Sequence, residues 1–297
     1  MNEFRSGFVA LIGLPNVGKS TLINRIVGSK IAIVSKKPQT TRNRIAGIYN
    51  DDECQIVFLD TPGIHKAKNK LDRFMSSVTD SSAADVDLVV FLIDARKGLR
   101  DDEREVIERI KGREGDIPVI IAVNKTDAAD SDELDGLRAV LDHYGRVVYI
   151  SALTGDGVPG FIDLVKGYMP EGPKYFLDDE LTDQSVRMLY SEIIREKALK
   201  HLGKEIPHGI GVSIEKLQAD RETGVLHIDA VIYCEKQSHK GIIIGRQGSR
   251  LKKIGTEARE DIESVHRGKV FMNLWVKVKE DWRNDGSFIK SLGYSDD

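Results

Sequence analysis

The chain has 297 residues, 40% hydrophobic and 31% charged, with a formal net charge of −3 at pH 7. That mixture excludes a disordered chain, and no apolar run approaches the roughly 20 residues of a membrane span. Cys54 and Cys234 stand far apart in no metal spacing, so both are expected to be core residues of a protein in a reducing cytoplasm.

Phe8 to Ile12 is an unbroken apolar run and reads as a buried strand. It leads into Gly13-Leu14-Pro15-Asn16-Val17-Gly18-Lys19-Ser20, which fits the phosphate-binding pattern G-x-x-x-x-G-K-[ST], and then into a helix-compatible stretch from Thr21 to Ile26. Strand, glycine loop and helix supply the context that the motif needs. The glycines let backbone N–H groups turn around a phosphate, and the helix dipole points its positive end there. Lys19 is placed to reach the outer phosphates, and the Ser20 hydroxyl to hold Mg2+.

Gln39-Thr40-Thr41-Arg42-Asn43 follows as a candidate switch segment. One of its two threonines is expected to complete the magnesium shell, with Thr41 favoured. Asp60-Thr61-Pro62-Gly63-Ile64 closes the apolar run Ile56 to Leu59. Asp60 is positioned to hold Mg2+ through a water, and the Gly63 N–H to touch the terminal phosphate. Loss of that contact on hydrolysis would release the loop.

A further apolar run covers residues 88–93, and the charge run Asp101 to Ile110 after it reads as a solvated helix. Asn124-Lys125-Thr126-Asp127 then ends the run Val119 to Val123. A carboxylate such as Asp127 accepts from both N1–H and the 2-amino group of guanine. Adenine would leave it unpaired, which gives strong discrimination. Ser151-Ala152-Leu153 follows Val147 to Ile150 and could aim a backbone N–H at the guanine 6-oxo group. Continuous rather than alternating apolarity predicts a mostly parallel sheet covered on both faces. Phe161 to Val165 looks like the last helix of this α/β domain, assigned residues 1–172, and residues 173–182 read as a linker.

Residues 183–297 form a smaller α+β pattern in the order α-β-β-α-α-β. Helical spacing covers Ser185 to Leu202, and strand patterns cover Ile210 to Leu217 and Val225 to Tyr233. A short helix at His239 to Ile244, the loop Gly245-Arg246-Gln247-Gly248, a helix from Ser249 to about His266 and a strand at Val270 to Val278 complete it. Lys240, Arg246, Arg250, Lys252 and Lys253 make a local basic patch around the loop.

In the first domain the motifs are similar in order and spacing to the five guanine-nucleotide motifs of small GTPases. Their form resembles the translation-factor-related branch that includes the Era, Der and tRNA-modifying families. Ras-like proteins carry a water-positioning glutamine where this chain has Ile64, so hydrolysis is expected to be slow or assisted. Related GTPases use an asparagine at the position of Asn16 to hold K+; holding K+ and stabilising the loop turn are both open readings here.

The second half resembles a type II KH domain, whose GXXG loop clamps about four nucleotides of single-stranded RNA. The two domains in this order resemble the Era family of ribosome-assembly GTPases. That resemblance implies GTP and GDP as ligands, with Mg2+ bound. It also implies single-stranded rRNA near the 3′ end of 16S rRNA and the 30S subunit as partners. A monomer is expected, in the cytoplasm, with peripheral association at the inner face of the cell membrane. A GTPase whose second domain docks a protein or membrane partner instead of RNA is the alternative.

Overall fold

Unbroken apolar runs become the strands of one six-stranded sheet in the computed structural model, which describes residues 3–35, 41–62, 86–111, 117–202, 206 and 209–294. The strands are β1 (Arg5–Gly13), β2 (Ile45–Asn50), β3 (Cys54–Asp60), β4 (Leu88–Asp94), β5 (Val119–Asn124) and β6 (Arg146–Ile150), ordered β2-β3-β1-β4-β5-β6. All neighbours are parallel except β2 and β3. Successive residues of one strand feed different cores: Val9 and Leu11 enter one, Ala10 and Ile12 the other. Both faces are therefore covered, as a parallel sheet requires.

Helices α1 (Lys19–Val27), α2 (Asp101–Lys111), α3 (Ser131–Leu141) and α4 (Val158–Lys166) supply the cover. The charge run expected as a solvated face does form α2, but Ile107 and Ile110 enter the core. Glu103 in its first turn is buried and accepts from the Arg100 N–H at 3.0 Å. Sequence reading assigned neither α3 nor β2. The C-terminal ends of β1, β3, β4 and β5 place Gly13, Asp60, Asp94 and Asn124 along one edge, where ligands of such sheets bind.

The stretch 173–182, expected as a linker, is tied to this sheet. The buried Gln55 amide accepts from the Tyr175 and Phe176 N–H groups at 2.6 and 3.0 Å, and donates to the Phe176 carbonyl at 3.0 Å. The Ile48 N–H bonds the Leu181 carbonyl at 3.0 Å, and Gly47 bridges Thr182. The segment thus occupies hydrogen-bonding groups that the edge strand β2 would otherwise expose. By its contacts the first unit runs on to Asp183, and the second is built on residues from Gln184 onward.

That second unit has a three-stranded sheet of β7 (Ile210–Ala219), β8 (Leu226–Cys234) and β9 (Val270–Val278), with β8 central. β7 and β8 are antiparallel, with an irregularity between Ile214 and Lys216, whereas β8 and β9 are parallel. Helices α5 (Val186–His201), α6 (Gln237–Ile244) and α7 (Ser249–His266) join it, and a short α8 (Gly286–Ser291) follows β9. Ser185 caps α5 by accepting from the Met188 N–H at 3.2 Å. Arg195 is fully buried and pairs with Glu192, which also accepts from the Tyr294 hydroxyl at 3.1 Å. Removing one partner of such a pair would strand a buried charge. No described helix is long and apolar enough to cross a membrane.

Candidate functional site

In the first unit β1 ends at Gly13 and α1 begins at Lys19, with the phosphate loop between them. Leu14 and Val17 drop into the core and anchor the loop from below. Gly18 has φ +106°, and a Cβ there would lie 2.2 Å from Asn124 Nδ2. Only glycine fits so close an approach. The same Asn124 amide donates to the Val17 carbonyl at 2.8 Å and accepts from the Ala152 N–H at 2.9 Å. One side chain therefore ties the phosphate loop to the loop at 151–153.

Lys19 is only 6% exposed, and its ammonium donates to the Gly13 and Leu14 carbonyls at 2.9 and 3.4 Å. Burial lowers its pKa to about 8, against an upward pull from Asp60. Beside it Ser20, Thr41 and Asp60 converge. Ser20 Oγ lies 2.6 Å from Asp60 Oδ2 and 3.0 Å from Thr41 Oγ1, which is itself 3.3 Å from Asp60 Oδ2. Asp60 is fully buried, and its Oδ1 has no hydrogen-bond partner among the described residues. Burial raises its pKa, opposed by Lys19 and by the Ser20 and Thr41 hydroxyls. Two hydroxyls and one orphaned carboxylate oxygen match the hard oxygen ligands that Mg2+ takes when phosphates and waters supply the rest.

At the base end Lys125 has φ +68° and sends its ammonium to the Asn16 carbonyl at 2.5 Å and to Asp94 Oδ2 at 2.7 Å. Asp94 also pairs with Arg96, and these contacts lower its pKa despite partial burial. Thr126 opens a 3-10 turn that carries Asp127, whose Oδ1 accepts from the Ser151 hydroxyl at 2.5 Å. Of the 151–153 loop, expected to aim a backbone N–H at a base carbonyl, the Ala152 N–H already bonds Asn124, whereas the Leu153 N–H has no partner among the described residues. Arg25 holds this loop by donating to the Ala152 carbonyl at 3.3 Å and to that of Leu153.

One expected residue plays a different part, and another has a backbone role of its own. Thr61 is buried and donates to the Leu11 carbonyl at 2.8 Å, so its hydroxyl joins β1 to the end of β3 and does not point at phosphate. Asn16 has φ +66°, a conformation that asparagine tolerates, so its residue type already has a backbone reason. Of the switch residues, Thr41 and Arg42 are buried, and Gln39, Thr40, Gly63 and Ile64 lie outside the described residues. Sequence reasoning missed Asp94 and Arg25. Asp94 ends an apolar run as Asp60 does, and that signal could have found it.

The Lys19 shift has a measurable consequence. Its folded pKa, about 8, lies below the unfolded value of about 10.5. Below pH 8 the lysine is charged in both states and the ligand-free fold bears the desolvation penalty. Between those values the unfolded chain holds the extra proton, so stability rises with pH. Urea melts of ligand-free protein should gain about 3 kcal/mol from this group over that window. Lys19→Met should remove that gain and be more stable than the parent at pH 7.

The second unit presents its own site between α6 and α7. Gly245 has φ +73° and ψ 175°, a region open almost only to glycine. A Cβ on it would lie 2.7 Å from that of Arg250. Gln247 and Gly248 also have positive φ, at +51° and +75°. The loop therefore projects the exposed Arg246 and Gln247 side chains outward. Lys252 and Lys253 are exposed on the first turn of α7, and Lys240 is half-buried on α6. Arg250, expected as a phosphate contact, also has a structural part: its guanidinium donates to the Ile242 carbonyl at 2.7 Å and staples α6 to α7. Next to the loop runs a groove of about 370 Å³, lined by Gly248 of the loop, by Leu251, Lys252, Gly255, Thr256 and Arg259 of α7 and by Met272 and Leu274 of β9. Sequence reading named Gly248 and Lys252 for this site but not Gly255, Thr256, Met272 or Leu274, which are scattered over two elements.

Residues 8–125 match the family model described as a 50S ribosome-binding GTPase, and residues 205–283 match that of a KH domain. The chain is 50% identical over 297 residues to the GTPase Era of Clostridioides difficile strain 630, covering 99% of each protein. It is 47% identical to that of Alkaliphilus metalliredigens, over 98% of this chain and 99% of the relative. Among solved structures, an Era in complex with MgGDPNP and nucleotides 1506–1542 of 16S rRNA matches with a TM-score of 0.92 at 36% identity, covering 98% of this chain and 99% of that one. A single-residue variant of Aquifex aeolicus Era bound to GDP.AlF4- matches equally, with a TM-score of 0.92 at 36% identity over 98% and 100% of the two chains. With both domains matched and near-complete coverage at this identity, the chain belongs to the Era family of GTPases.

Proposed function

We propose that the chain is a GTP-hydrolysing switch that binds single-stranded rRNA near the 3′ end of 16S rRNA and acts in assembly of the 30S subunit. The observation that carries the nucleotide half is the convergence of Lys19, Ser20, Thr41 and Asp60 at one sheet edge, with Asp60 Oδ1 left unpaired among the described residues. The RNA half rests on the Gly245–Gly248 loop and the groove beside it. The family likeness, including a structure that holds MgGDPNP and a 16S rRNA segment, supports both.

In this reading Lys19 leaves the Gly13 and Leu14 carbonyls for the outer phosphates, which restore the charge compensation that burial removed. Backbone N–H groups of residues 14–19 surround the phosphates. Ser20, Thr41 and Asp60 hold Mg2+, which when bound neutralises charge on the phosphate oxygens. Lys125, braced by Asp94 and the Asn16 carbonyl, flanks the base while Asp127 accepts from its N1–H and 2-amino group. The Leu153 N–H, or Ala152 N–H shared with Asn124, donates to the 6-oxo group. Thr41 and Gly63 report the presence of the terminal phosphate.

Crosslinking the chain to RNA in cells, followed by sequencing, tests the whole reading. Enrichment of the 16S rRNA 3′ end is expected. Recovery of protein contacts with no RNA enrichment would overturn it in favour of a docking GTPase.

Asn16 is proposed to hold K+ beside the phosphates, supplying positive charge where no glutamine follows the D-x-x-G motif. GTP turnover should be several-fold faster in potassium than in sodium buffer. Asn16→Gly keeps the positive φ without strain and removes the amide oxygen, so it should abolish that difference while keeping nucleotide affinity. Equal parent rates in both salts would refute a potassium site.

A further inference from the structure

The two sides of β9 face different surroundings. Met272 and Leu274 line the groove beside the glycine loop. Phe271, Asn273, Trp275 and Lys277 alternate with them and lie on the opposite face of the sheet. The parallel register sets His227 of β8 beside Phe271, with ring centroids 5.3 Å apart, and Asp229 beside Asn273. Asn273 Nδ2 donates to Asp229 Oδ1 at 2.9 Å. The terminal segment covers one end of this face, where Phe288 stacks edge-on to Tyr233 at 4.9 Å and Trp282 is fully buried. At the other end Phe271 and Trp275 remain 51% and 47% exposed.

We propose that this open face is a second RNA-binding surface, on which Phe271 and Trp275 stack bases of the strand that leaves the glycine-loop groove. β9 is an edge strand, so RNA leaving its groove side reaches the opposite face by turning around one strand. Phe271 and Trp275 are four residues apart on one face, about 13 Å, which leaves room for two splayed bases. Between and beside them stand hydrogen-bonding groups and a cation: Asn273, His227 and Lys277. A protein-docking face would offer contiguous apolar surface; here an amide held by the Asp229 carboxylate separates the two rings and an imidazole and an ammonium flank them, a mixture that suits bases and phosphates. Aromatic residues on sheets stack bases in this way.

The proposal rests on the groove being an RNA seat, and the experiment keeps the two ideas apart. The probes are the 16S rRNA segment 1506–1542 and a fragment of it of about four nucleotides, which suffices for the groove alone. Phe271→Ala with Trp275→Ala should weaken binding of the long segment about 30-fold or more and leave the short fragment unaffected. The protein has two tryptophans, and Trp282 is buried, so quenching by the long segment should report Trp275 directly. Unchanged affinity of the double variant for the long segment, with no change in Trp275 emission, would overturn the proposal. Failure of the groove reading would show separately, as unaltered binding of the short fragment when Arg246 and Gln247 are replaced by Asp. The response of the Phe271 and Trp275 variant to the long segment would still decide the open face.

Discussion

Replacing Asp127 with Asn shifts base preference from guanine to xanthine. Asp127 Oδ1 accepts from the Ser151 hydroxyl at 2.5 Å, so one end of the carboxylate is already fixed. An asparagine there keeps its oxygen on Ser151 and turns its amide N–H2 toward the base. Guanine then meets donor against donor. It loses a charge-assisted hydrogen bond and strands a buried donor, together about 4 kcal/mol, or about 10³-fold in affinity. Xanthine carries an oxo group where guanine has its amine, and it gains the bond that guanine loses. Competition between GTP and xanthosine triphosphate, measured on parent and Asp127→Asn proteins, should show the order inverting. A variant that keeps full GTP affinity with no gain for xanthosine triphosphate would place the base somewhere other than Asp127.

Much of this pocket was legible because its residues sit at the ends of continuous apolar runs. Gly13, Asp60 and Asn124 each close such a run, and a parallel sheet brings those ends to one edge. The clamp residue Asn124 was legible as part of a motif, but its link to the Val17 carbonyl and the Ala152 N–H was not, because it spans 107 and 28 residues. β2 escaped because Gly47 interrupts its apolar pattern; a Cβ there would lie 2.5 Å from Ile23, so the strand gives up a side chain to let α1 approach. The linker expectation at 173–182 followed the breaker run Pro170-Glu171-Gly172-Pro173 at its start, which carries no trace of Gln55 waiting on β3 to receive the segment. In the second unit the alternation of strands and the glycine loop could be read directly. Of the groove only the rim at Gly248 and Lys252 could be read, since Gly255 and Thr256 of α7 and Met272 and Leu274 of β9 belong to no motif.

Placing two carboxylates on the glycine loop should abolish RNA binding while leaving nucleotide binding intact. Arg246 and Gln247 are both exposed, and Gln247 holds φ +51°, a conformation that Asp tolerates well. Arg246→Asp with Gln247→Asp therefore leaves the turn unstrained. The change moves the loop charge by −3, directly where a phosphate chain would approach the N-terminus of α7. At about 0.1 M salt the affinity for the 16S rRNA segment should fall about 100-fold or more, and the logarithmic salt slope should shrink by about 1 for the lost phosphate contact. Lys253→Gln should act through phosphates alone, weakening binding modestly with the same loss of slope. Arg250→Gln should behave differently, because its guanidinium is committed to the Ile242 carbonyl. It should lower the melting temperature together with RNA affinity, as the staple between α6 and α7 is lost. GTP affinity should be unchanged in all three, since every substituted residue belongs to the second unit. Full RNA affinity in the double carboxylate variant would remove the glycine loop from the RNA site.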